Sequence, residues 1–105
     1  MPKATPTRKP TDPVHPGEIL LEDFMKPAGL SVNALALALR LPATRIGAIV
    51  HAQRGITADT ALRLGRCFST MSRLWMNLQA DFDLRTAANA SRGEVEQSMR
   101  PRTAA

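Results

Sequence analysis

A chain of 105 residues, 44% of them hydrophobic, has room for one small domain. Its single cysteine, Cys67, excludes an intrachain disulfide, and no stretch approaches the roughly 20 apolar residues of a membrane span. The net charge of +5 is unevenly spread: residues 16–39 are acidic, while between residues 40 and 73 Arg40, Arg45, Arg54, Arg63, Arg66 and Arg73 stand against Asp59 alone. A basic stretch of this kind suits a polyanionic partner.

Residues 1–14 hold four prolines and few apolar groups, which predicts a flexible, basic arm carrying Lys3, Arg8 and Lys9. No apolar run between Met1 and Pro16 resembles a secretory leader, so the cytoplasm is the expected location. Pro16 opens the first helix, with Glu18 and Glu22 toward its positive end and Ile19, Leu20, Leu21, Phe24 and Met25 as its buried stripe. Pro27 and Gly29 are expected to end it. His15, just before this helix, reads as a capping or packing residue, because no cluster of further ligands accompanies it.

From Ser31 to Gly55 the spacing predicts two short helices joined by a tight break. Ser31 caps the first, where Val32, Leu35, Ala36 and Leu39 recur at i, i+3, i+4 and i+7. Leu37 and Ala38 extend its apolar face, either as a protein interface or because the core wraps further round. Pro42 starts the next helix, in which Ile46, Ile49 and Val50 face inward and Ala43, Thr44, Arg45, Gly47, Ala48 and His51 face outward. Two short helices with apolar inner faces have the shape of a helix-turn-helix, whose second helix enters the DNA major groove. Arg45 could reach guanine edges there, and Thr44 or the alanines a thymine methyl. Gln53 and Arg54 project from the following loop, where Gly55 is expected to let the chain turn.

Thr57 caps a helix over Ala58–Phe68, with Ala61, Leu62, Leu64, Gly65 and Phe68 on its apolar side and Gly65 allowing close packing. Cys67 is expected near the buried end of that helix, as inert packing. Thr70 or Ser72 is expected to cap a further helix, whose stripe of Leu74, Trp75, Leu78 and Phe82 runs to about Leu84, with Trp75 in the core or an interface. Beyond Arg85 the periodicity is lost, and residues 87–105 read as a mobile tail with at most a frayed turn around Glu94 to Met99.

The run QRGITADTALRLGRCFSTMSRLWMNLQ at residues 53–79, with HPGEIL at His15 to Leu20 and LPATRI at Leu41 to Ile46, resembles HigA/VapI-type antitoxins of the lambda-repressor-like (XRE/Cro-C1) helix-turn-helix family. The likeness covers residues 15–86 and implies an all-α, five-helix DNA-binding and dimerisation domain. It also implies a homodimer that binds a palindromic operator in double-stranded DNA, represses its own promoter and neutralises a RelE/HigB-like toxin that cleaves messenger RNA. Thr44 and Arg45 match the family's positions at the start of the reading helix, and Gln53, Arg54 and Gly55 match its basic loop.

The chain departs from the family in having Gly47 and Ala48 where many relatives carry a polar pair, and Met71-Ser72-Arg73 before the tryptophan. Val32 replaces a phosphate-contacting glutamine, for which Asn33 or Arg40 would substitute. The expected DNA-binding set is Asn33, Arg40, Ala43, Thr44, Arg45, Ala48, His51, Gln53 and Arg54. A repressor with no toxin partner and a toxin-binding protein that has lost operator recognition stay open as alternatives. An enzyme is the least favoured class, because the chain has two histidines, no Gly-rich phosphate loop and no converging carboxylates. No cofactor or metal is expected.

Overall fold

The computed structural model describes residues 12–102, and the sequence-predicted arm lies outside them except for its last residues. Among the described residues all regular structure is helical: α1 (Pro16–Ile19, continuing through Leu20–Met25 and Lys26–Ala28), α2 (Val32–Leu39), α3 (Ala43–Val50), α4 (Ala58–Phe68), α5 (Ser72–Ser91) and α6 (Glu94–Ser98). None is long and apolar enough to cross a membrane. The fold is the all-α helix-turn-helix architecture expected, with α2 and α3 as the pair.

α1 does not end at Pro27. Its middle, Leu20–Met25, is wound as a π-helix, and the helix continues to Ala28 before Gly29 takes the left-handed conformation (φ 68°) and stops it. The ring of a proline inside an α-helix collides with the carbonyl four residues earlier, so widening the turn ahead of Pro27 lets the helix pass it. His15 caps the start: its Nδ1 accepts from the Gly17 N–H at 2.9 Å, and its ring packs edge-on against Phe82 at 4.8 Å. Burial lowers its pKa against the opposing pull of Asp83 and Glu18.

Ser31 and Thr57 cap α2 and α4 as predicted, accepting from the N–H groups of Ala34 and Thr60. At α5 the prediction fails. Met71 occupies the cap position without a side-chain bond, because the Thr70 hydroxyl accepts from Trp75 Nε1 at 2.9 Å and Ser72 lies against Gly65. A Cβ on Gly65 would come within 2.9 Å of Ser72 Oγ, so the glycine does permit the close α4–α5 approach.

Leu20, Met25, Leu35, Ile46, Ile49, Leu64 and Trp75 form the centre of the core. Phe24 contacts both Trp75 and Phe68, joining α1 to α4 and α5 through one aromatic group. Leu62 (63% exposed), Leu37 (80% exposed), Ala38 and Cys67 stay outside. The buried arc of α4 is Thr60, Ala61, Leu64 and Gly65, and Leu62 and Cys67 fall beyond its edges. The core therefore does not wrap round to Leu37 and Ala38.

Two features escaped sequence reading. Gly17 is buried where α1 crosses α3, and a Cβ there would run into the carbonyl of Ile49. The other is the length of α5: it continues past Leu84 to Ser91 with its last turns exposed, and α6 follows after Arg92 and Gly93, both left-handed.

Because the obstacle at Gly17 is backbone, Gly17→Ala is expected to destabilise the protein by about 2 kcal/mol or more, as overfilled packing sites do. In a denaturant titration, an unchanged midpoint for Gly17→Ala would refute this contact. His15 supplies a pH signature. Its folded-state pKa lies below the ordinary 6.5, so its contribution to stability is complete above 6.5 and is lost as pH falls through the folded value. The denaturation midpoint should drop as pH falls below about 6.5, and His15→Asn, which keeps a capping oxygen but cannot titrate, should flatten that drop.

Candidate nucleic-acid interface

α3 is eight residues long and is held from beneath by Ile46 and Ile49, both fully buried. Helical spacing then directs Thr44, Gly47 and Ala48 away from the core, with Arg45 on the flank beside Ile49. Thr44 is exposed, while Ala43, Arg45, Gly47 and Ala48 are half-buried. The Arg45 Nε is shielded and has no hydrogen-bond partner within the chain. Pro42 at the N-cap offers no side-chain bond, which leaves the first N–H groups of α3 uncapped at the positive end of the helix dipole. Nothing lies within 4 Å of where a Gly47 Cβ would be, so this glycine opens the outer face without serving the core.

The turn into α3 is built on Arg40, which adopts the left-handed conformation (φ 57°) usually given to glycine. Its N–H donates to Leu37 and that of Leu41 to Ala36, closing the end of α2 in a Schellman arrangement. Arg63 of α4 reinforces it: Nη1 donates to the Leu39 carbonyl at 2.8 Å, while Nε pairs with Asp59 at 2.9 Å. Sequence reading assigned Arg63 only to the basic stretch, because a contact spanning two helices has no local spacing signal. Arg40 itself is exposed, as is Asn33 in the first turn of α2.

The turn out of α3 differs from expectation. Ala52, not Gly55, takes the left-handed conformation (φ 59°), with the Ala52 N–H donating to Ile49 and the Gln53 N–H to Ala48. The same Schellman closure operates here immediately at the helix end, before Gly55 is reached. Gln53 and Arg54 follow, both exposed. His51 is drawn back onto its own helix, its Nδ1 donating to the Gly47 carbonyl at 2.7 Å. It lines, with His15, Glu18, Glu22, Val50 and Phe82, an open cleft of about 510 Å³ between α1, the end of α3 and α5.

Of the sequence-predicted residues, Ala43, Thr44, Arg45 and Ala48 thus share one short helix, Arg40 and the Gln53–Arg54 segment bracket it, and His51 borders the α1 cleft. Among the described residues no three His, Cys, Asp or Glu side chains are grouped to hold a metal.

No family model matches the chain. It is similar to virulence-associated protein I of Dichelobacter nodosus, with 55% identity over 74 residues that cover 70% of this chain and 68% of the relative. It is 38% identical to the uncharacterized HTH-type transcriptional regulator YbaQ of Escherichia coli strain K12, over 86% of this chain and 77% of YbaQ. Among solved structures it is similar to the Pseudomonas aeruginosa antitoxin HigA determined with the higBA promoter: TM-score 0.84, 45% identity, 87% of this chain and 99% of that one. The likeness spans the helices that position the candidate interface, and the chain belongs to the HigA/VapI-type antitoxin family of helix-turn-helix proteins.

Proposed function

We propose that this chain is a DNA-binding antitoxin: a homodimer that represses transcription from its own palindromic operator and neutralises a RelE/HigB-like toxin that cleaves messenger RNA. The observation that carries this reading is the match of nearly the whole chain to antitoxins solved with promoter or operator DNA. Residues 15–86 would form the DNA-binding and dimerisation unit. Two copies of α3 related by a twofold axis would enter successive major grooves about 34 Å apart.

Within each copy, Arg45 is the assigned base reader, and Thr44, Ala43 and Ala48 supply short contacts to base edges and methyl groups. Arg40, Asn33, Gln53 and Arg54 hold phosphates, aided by the uncapped start of α3. His51 lies at the border of this surface. Its Nδ1 is occupied by the Gly47 carbonyl, so any DNA contact would use Nε2. The similarity to a transcriptional regulator favours, as a second reading, a repressor with no toxin partner. The two separate in a pull-down from the native locus, where recovery of the homodimer alone would favour the second.

In duplex titrations at two salt concentrations, Arg45→Ala is expected to cost roughly 1 to 3 kcal/mol and relax base preference. Arg54→Ala should weaken all duplexes alike and flatten the salt slope by about one unit. Matched affinities of the unaltered chain for operator and scrambled duplex would overturn the repressor assignment.

A further inference from the structure

The loop that carries Gln53 and Arg54 is free on its outer side and pinned at its exit. There the chain re-enters the core at Ile56, which is 3% exposed. The Ile56 N–H donates to Gln79 Oε1 at 2.7 Å, a bond from α5 that crosses 23 positions of sequence. Gln79 Nε2 in turn donates to Asp83 Oδ1 at 2.9 Å, one helical turn on. A carboxylate only accepts, so Asp83 fixes which end of the amide faces Ile56. Gly55 completes the arrangement: a Cβ there would lie 3.0 Å from both Gln79 Nε2 and Oε1. Neither bond is needed to form α5. Together they fix the exit of the segment whose entrance is closed by the left-handed turn at Ala52.

We propose that Gln79, oriented by Asp83, is a positioning residue for operator binding: it holds the Gln53–Arg54 segment in the conformation that meets phosphate. The inference rests on the DNA-binding reading above. Without the bond the loop would have to be ordered at the moment of binding, and that cost is subtracted from affinity.

The test uses the full chain, a duplex selected from a random pool by the unaltered protein, and thermal unfolding in parallel. Gln79→Met keeps the length of the side chain and removes the amide. It should weaken binding roughly tenfold and flatten the salt slope by about one unit, as a lost phosphate contact does. In an Arg54→Ala background the same substitution should change affinity by less than about twofold, since neighbouring effects on one contact do not add. The double variant Gln79→Glu with Asp83→Asn reverses the donor and acceptor between the two side chains while keeping an acceptor for Ile56, and it should restore binding.

If Gln79→Met lowers the unfolding temperature but binds as the unaltered chain does, the positioning role is overturned. It is equally overturned if the Gln79 and Arg54 effects multiply independently, or if the swapped pair folds but fails to restore affinity. If the unaltered chain enriches no duplex, the DNA-binding reading fails and this inference fails with it.

Discussion

The close approach of α1 to α3 at Gly17 is the constraint on which the rest depends. At that point one helix backbone lies directly against the carbonyl of Ile49, and no side chain larger than hydrogen fits between them. α3 is only eight residues long, too short to hold its own conformation in water, so its orientation must come from its neighbours. Ile46 and Ile49 anchor it in the core, α2 meets it across the Arg40 turn, and α1 crosses its C-terminal end. The buried His15 cap keeps the first turn of α1, and therefore Gly17, at that crossing.

Both ends of α3 are bracketed by non-glycine residues in the left-handed region, Arg40 before it and Ala52 after it. Each such residue costs about 1 kcal/mol relative to an ordinary conformation. Contacts distant in sequence flank both turns: Arg63 donates to the Leu39 carbonyl beside the Arg40 turn, and Gln79 accepts from Ile56 four residues after the Ala52 turn. The surface assigned to DNA is thus held by polar clamps from α4 and α5, and its apolar support from below is shared with the rest of the core. Strain of this kind next to a recognition surface is common, because the surrounding structure must over-determine it.

Charge is also divided between elements of the domain. Arg40, Arg45 and Arg54 follow the helix-turn-helix, whereas Glu18, Glu22 and Asp23 lie on α1. Lys26 pairs with Glu22 at 2.7 Å, and Arg63 and Arg85 each pair with an aspartate one turn earlier on their own helix. These pairs, each with at least one exposed partner, contribute little to stability. Arg40, Arg54 and Arg66 are exposed as well, and so available to a polyanion.

Local chemistry alone determined a large part of this protein. Ser31 and Thr57 marked helix starts because a hydroxyl at that position satisfies an otherwise unpaired N–H, and the apolar spacing predicted which side of α2 and α3 would be buried and, Leu62 apart, which side of α4. The RGITADTALRL and WMNLQ runs carried the family. Tertiary structure decided what no local pattern encodes. Pro27 is tolerated inside α1 by a widened turn, and Thr70 gives up helix capping to bind Trp75. Ala52 turns the chain in place of Gly55, which is reserved for the close approach of Gln79. Where α5 ends was also illegible, since its last turns lack the buried stripe that periodicity detects. In each case the deciding partner is distant in sequence or absent from the pattern, so the competition between two uses of one residue is settled only when the helices meet.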